Sequence, residues 1–126
     1  MDNIVSTGRI GEDIAARFLL KKGYEILELN YRKFHGEIDI IAKDLNEIVF
    51  VEVKTVTREM LDTVTRETYR PEDNMHKSKV KTVSRTAELY LIDKKLNCEW
   101  RLDFIAVELD KSSNKAKVRH LKGVYL

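Results

Sequence analysis

At 126 residues the chain has room for one domain around one core, so residues 1–126 are expected to fold as a single unit. Its 43% hydrophobic and 35% charged residues fit an ordinary soluble protein, and no run approaches the roughly 18–20 apolar residues of a membrane span. The net charge of +2 is too small to argue for nucleic acid by itself, but residues 1–73 carry roughly −4 and residues 74–126 roughly +6.

From about Thr7 to Lys22, Ile10, Ile14, Ala15, Phe18 and Leu19 recur at the spacing of an amphipathic helix. Ser6 or Thr7 can cap its start, and Gly23 sits where a helix stops. Tyr24 to Tyr31 reads as a strand. Gly36 to Lys43 and Ile48 to Lys54 are two more, rich in Ile, Val and Phe, with the polar Asp44-Leu45-Asn46-Glu47 as a hairpin turn. Residues 55–73 look irregular and long; a flap over a substrate groove, a short extra helix and a disordered insert all fit. Val80, Val83, Ala87, Tyr90 and Leu91 mark a second amphipathic helix from about Asn74 to Asp93. Arg101 to Leu109 and Ala116 to Leu121 read as the last strands, either side of the turn-like Asp110-Lys111-Ser112-Ser113-Asn114. The order is α-β-β-β-α-β-β. A strand, a helical crossover and another strand make a parallel pair with right-handed connection, so an α/β fold with a mixed sheet of about five strands flanked by helices is expected.

The chemistry concentrates on one hairpin. Alternation puts Glu37, Asp39 and Ile41 on one face of the second strand and Ile38, Ile40 and Ala42 on the other. On the third strand Phe50, Glu52 and Lys54 share a face. A hairpin closed symmetrically on Leu45-Asn46 sets Asp39 across from Glu52 and Glu37 across from Lys54. Opposed like charges destabilise a strand pair, and buried carboxylates must be paired, protonated or bound to metal. A divalent cation removes the conflict, and hard oxygen ligands select Mg²⁺ or Mn²⁺ over zinc. With an ammonium from Lys54 alongside, the set suits hydrolysis of a phosphodiester. The rival reading is a salt-bridge cluster on a solvated sheet edge.

Gly36-Glu37-Ile38-Asp39-Ile40-Ile41-Ala42 followed by Val49-Phe50-Val51-Glu52-Val53-Lys54 resembles the motif of the YraN family of bacterial proteins. Gly8-Arg9-Ile10-Gly11-Glu12, Asn30-Tyr31-Arg32, Lys79 before Tyr90-Leu91, Arg101-Leu102-Asp103 and Arg119-His120-Leu121 resemble its other blocks, in the same order. The resemblance implies a restriction-endonuclease-like fold with a PD-(D/E)-x-K site, similar to archaeal Holliday-junction resolvases. It makes Asp39 and Glu52 metal ligands, with the Val53 backbone carbonyl as a further one. Lys54 becomes the catalytic lysine, and Glu12 reaches in from the first helix to hold the metal or its water. Glu12 lies just outside the apolar arc of that helix, which allows the reach. The chain departs from the family by delaying the arginine after Glu-x-Lys to Arg58 and lengthening the segment that follows, with Arg66 and Arg70.

Other residues carry less. Lys77, Lys79, Lys81 and Arg85 form a basic stripe able to contact phosphates, or a solvated helix face. Arg101 either binds phosphate or pairs with Asp103 or Glu99. Glu37 is read as an ion-pair partner of Lys54. His35, beside the site, is either a general base or an exposed loop histidine, while His76 and His120 look isolated. Cys98, alone, allows no internal disulfide and reads as packing beside Trp100; with no secretory signal in Met1–Ser6, a cytoplasmic home is expected. The leading expectation is a Mg²⁺- or Mn²⁺-dependent endonuclease on nucleic acid, DNA foremost, including branched or damaged forms. Resolving a four-way junction would call for a homodimer. The alternatives are a nucleic-acid-binding module of the same fold with little or no cleavage, and an adaptor with no nucleic-acid role.

Overall fold

Strand order across the sheet is strand order along the chain. The computed structural model describes residues 7–57, 77–110 and 112–124. Helix α1 (Thr7–Lys21) leads into β1 (Glu25–Lys33), β2 (Gly36–Asp44) and β3 (Glu47–Thr57). Helix α2 (Lys77–Asp93) then precedes β4 (Trp100–Asp110) and β5 (Lys115–Leu121). One five-stranded sheet runs β1-β2-β3-β4-β5. Neighbours are antiparallel except β3 and β4, which pair in parallel from Ile48↔Trp100 to Thr57↔Leu109. That is the pair expected across the helical crossover. Of the segment read as irregular, Thr55–Thr57 extend β3; from Arg58 on it lies outside the described residues.

Alternation sorts the strand side chains into two layers. Val49, Val51, Ile105 and Val107 pack with Ala15, Ala16 and Leu19 of α1. Ile48, Phe50 and Leu102 pack with Val80, Val83, Ala87, Tyr90 and Leu91 of α2, the five positions read from the sequence. Each face of the sheet thus carries one described helix, a three-layer α/β arrangement.

The buried face of α1 holds Ala15 and Leu19 as expected, with Ile14 and Phe18 packed against the same core, but it extends to Gly11 and Ala16 and leaves Ile10 38% exposed. Small residues let the helix axis come close to the sheet: a Cβ added at Gly11 would overlap the Thr55 side chain. This close approach brings Glu12, next to Gly11, within reach of Asp39 on the sheet. Both helices end in paired backbone bonds of the Schellman type. At α1, Tyr24 N–H donates to Leu19 O and Gly23 N–H to Leu20 O, both at 3.0 Å, with Gly23 at φ 93°. At α2, Leu96 N–H donates to Leu91 O (2.9 Å) and Lys95 N–H to Ile92 O (3.1 Å), with Lys95 forced to φ 57°. No helix among the described residues is long and apolar enough to cross a membrane.

Candidate active site

The β2–β3 ladder runs from Asp44↔Glu47 to Ile40↔Val51 and stops one residue before Asp39 and Glu52 would pair. The reason lies in the backbone. Ile40 and Ala42 are buried in the α1 layer and Ile41 in the α2 layer, as alternation requires, yet Ile38 is in the α2 layer too. The expectation that Ile38 shares a face with Ile40 is therefore wrong. Opposite the break, Asn30 falls between the pairs Leu29↔Ile40 and Tyr31↔Ile38 and adopts φ 51°. Asparagine tolerates this left-handed conformation better than most residues. The kink frees the Asp39 side chain from a sheet face and aims it into the gap between β2 and β3. There Val53 N–H donates to Asp39 Oδ2 at 2.8 Å. A carboxylate takes the place of the missing ladder bond.

Asp39 and Glu52 are each only 9% exposed. Lys79 of α2 reaches over the sheet, its Nζ 2.7 Å from Glu52 Oε2. Burial, reinforced by the charge of Asp39, nevertheless pushes the Glu52 carboxyl up to about 7 against the pull of Lys79. Burial also raises Asp39, with Glu37 adding to it and the Val53 N–H and Lys79 opposing. Glu12 arrives from α1 and hydrogen-bonds Asp39; burial and the Asp39 charge raise its carboxyl. The bond they share raises Glu12 and lowers Asp39, while burial raises both. Three carboxyl groups from α1, β2 and β3 thus crowd one gap, met by one backbone N–H and one ammonium.

Would these residues suit a cation? Among the described residues no three Asp, Glu, His or Cys side chains close into a metal cage. Mg²⁺ needs none, since it takes one or two carboxylates and keeps water for the rest. The donors are hard oxygens, and a divalent ion would favour the charged form of Glu52 that burial disfavours. The Val53 carbonyl lies on the same strand edge as its N–H, which faces Asp39, because both groups of a strand residue point to one side. The set fits.

The remaining expected residues divide. Lys54 is exposed, and the lysine that touches Glu52 is Lys79. Glu37 pairs with Arg32 (3.2 Å), its register partner on β1, and not with Lys54, because β2 and β3 have separated at that level. Lys81 and Arg85 are exposed on α2. Lys77 is the first residue of α2, and Arg58, Arg66, Arg70 and His76 lie outside the described residues. A cleft of about 350 Å³ lined by Glu37, Lys79, Thr82 and Val83 opens beside the carboxylates.

His35 bears on that cleft. Thr86 Oγ1 spends its one hydrogen on Thr82 O (2.9 Å). The 3.3 Å contact between Thr86 Oγ1 and His35 Nδ1 is then a donation from Nδ1–H. Gly36 makes this contact possible, since a Cβ there would overlap Thr86.

A second polar cluster builds on the Arg101–Asp103 pairing that the sequence offered, and most of its members were not read from the sequence. Asp103, 0% exposed, accepts from Arg101 Nε (2.9 Å), Gly123 N–H (3.0 Å) and His120 Nε2 (2.7 Å). Burial works against its charge, but the His120 and Arg101 bonds prevail and hold the carboxyl below its ordinary range. Arg101 also donates to Glu47 (2.6 Å) and to Tyr24 Oη (2.8 Å), so its charge goes to holding β4 against the β2–β3 turn, not to phosphate. His120 is far from isolated, and Cys98 is exposed, not packing. Tyr24, just before β1, and side chains on β3, β4 and β5 converge here only through register, which no local pattern encodes.

The chain matches the uncharacterised protein family UPF0102 over residues 11–107. It is 39% identical over 115 residues to a protein of Thermotoga petrophila, covering 91% of this chain and 93% of that one. It is 36% identical over 119 residues to one of Alkaliphilus oremlandii (94% and 96% covered) and 37% over 118 to one of Flavobacterium psychrophilum (94% and 92%). All three are described only as UPF0102 proteins.

Proposed function

This chain belongs to the UPF0102 family, the YraN family its motifs resemble, and from that premise we propose that it is a Mg²⁺- or Mn²⁺-dependent endonuclease of nucleic acid, DNA foremost. The observation that carries the reading is the pair Asp39 and Glu52, buried from β2 and β3 in one gap, with Glu52 pushed up to about 7. Asp39 with Glu52-Val53-Lys54 has the PD-(D/E)-x-K spacing, and the α-β-β-β-α-β-β order agrees with a restriction-endonuclease-like fold. Asp39, Glu52 and the Val53 carbonyl would hold the ion, which supplies an acidified water and neutralises charge on the phosphate. Glu12, within hydrogen-bonding reach of Asp39, would hold the metal or orient its water. Lys54 and Lys79 would provide positive charge at the scissile phosphate; Lys79 neutralises Glu52 here, a duty the ion would take over. The reading places the protein in the cytoplasm.

Purified protein with Mn²⁺ and four-way, flap, single-stranded and duplex DNA tests it. Cleavage that disappears with Asp39→Ala and Glu52→Ala supports the reading; cleavage that survives both substitutions belongs to a contaminant. A non-cleaving nucleic-acid-binding module is the second reading, favoured by the Lys79 ammonium that already occupies the Glu52 carboxylate. It predicts salt-dependent binding with no cleavage under any metal.

A further inference from the structure

Phe34, at the β1–β2 turn, is 101% exposed, a ring wholly in water. Its chain neighbours are Arg32, Lys33, His35 and Gly36, so it is not part of an apolar run, and two of the four are cations. The turn that carries it is anchored on α2. The ring meets His35 edge-on at 5.2 Å between centroids, and His35 is tied to Thr86 of α2, against which Gly36 packs. The turn thus stands on α2 at one end of the cleft whose lining includes Glu37, Lys79 and Thr82. At about 3.3 Å per strand residue, Gly36 is roughly 10 Å along β2 from Asp39, a span of two or three nucleotides.

We propose that Phe34 is a stacking platform for an unpaired base of the nucleic-acid substrate, which makes the substrate class a strand that leaves its duplex within a few nucleotides of the cut. This deepens the endonuclease reading and rests on it for the position of the cut. Bases inside a duplex already have both faces covered, whereas an unpaired base offers a face to an aromatic ring. A protein partner would require a contiguous apolar patch, which one ring between Lys33 and His35 does not make. The adjacent charges suit a backbone passing over the turn: Arg32 beside Glu37, Lys33 over the Tyr31 ring at 5.4 Å, and Lys79 in the cleft.

The test is binding of labelled splayed-arm DNA, splayed-arm RNA and blunt duplex DNA in EDTA, by anisotropy, with wild type, Phe34→Ala, Phe34→Trp and Leu45→Ala. Leu45, 88% exposed at the other end of β2, controls for loss of any exposed apolar side chain. Phe34→Ala is expected to lower the preference for splayed over duplex DNA roughly tenfold, the size of one lost base–aromatic stack. Phe34→Trp should keep the preference and show fluorescence quenched by the arm, and Leu45→Ala should match wild type. A larger loss with the RNA arms than with the DNA arms would assign the stacked strand to RNA. An unchanged preference in Phe34→Ala overturns the proposal while leaving the endonuclease reading intact. A Phe34-dependent preference in a protein that never cleaves upholds the platform and removes the nuclease. No binding to any of the three removes both.

Discussion

Replacing Glu52 by Gln removes the buried charge that the metal-free protein compensates least. In the unfolded chain this carboxyl has its ordinary value of 4.5; in the folded protein it rises to about 7. Between those values the unfolded chain has released the proton and the folded one still holds it. The contribution of this group to stability therefore falls as pH rises through that window, and it is recovered in full below 4.5. At about 1.4 kcal/mol per pH unit the difference amounts to about 3 kcal/mol above pH 7. The attraction of Lys79 is already contained in that value. Glutamine has the shape of the protonated acid and never ionises, so Glu52→Gln should be about 3 kcal/mol more stable than wild type at pH 8 and equal to it at pH 4.5. For a chain of this size the pH 8 difference corresponds to roughly 10 °C in Tm. Urea and thermal unfolding followed by far-UV circular dichroism at pH 4.5, 6 and 8 in EDTA measure it. Mn²⁺ should then stabilise wild type at pH 8, by about 2.7 kcal/mol at a hundredfold excess over Kd, and leave Glu52→Gln unmoved. A variant no more stable than wild type at pH 8, or one whose advantage does not change with pH, would refute the reasoning.

Three further substitutions probe the frame around the site. Gly11→Ala should cost about 1–3 kcal/mol by overpacking against Thr55, and adding Thr55→Ala should recover part of it, which a double-mutant cycle of urea midpoints reads directly. Lys95→Gly should raise stability by about 1 kcal/mol, because it relieves a left-handed cap without losing either cap bond, visible as a higher Tm. Asp103→Ala strands Arg101 and His120 in a buried cluster and should cost about 3–5 kcal/mol. Since the Asp103 carboxyl lies below its ordinary range, its contribution is complete above that range and is lost as pH falls through the folded value. Wild type and Asp103→Ala should therefore converge in acid; a gap that persists there counts against the assignment.

The helices and strands were legible because periodicity is local: Val80, Val83, Ala87, Tyr90 and Leu91 needed only 3.6-residue spacing to be placed on one face. The parallel β3–β4 pair followed from the crossover rule. Asp39 and Glu52 were found as neighbours because a two-residue turn fixes register back along the hairpin. What alternation could not supply was the break at Asp39, which lies opposite the left-handed Asn30 of the adjacent strand. An asparagine opposite an acidic residue was the available signal, since Asn tolerates the left-handed region. The Lys79–Glu52 contact depends on how α2 lies across the sheet, so spacing along the chain pointed to Lys54 instead. Arg101 and Asp103, two apart on one strand, shared a face in plain view; the arrival of His120 from β5 required the β4–β5 register.

Because chain order and sheet order coincide, almost every strand pairing closes a short loop, and one alone does not. Ile48 and Trp100 must find each other across 52 residues before the two halves of the sheet become one. Loop-closure entropy makes that docking the slow event, with the β1–β2–β3 meander and the β4–β5 hairpin assembling on either side of it. Weakened contacts along the β3–β4 seam should then slow refolding, whereas damage at the outer strands should chiefly hasten unfolding.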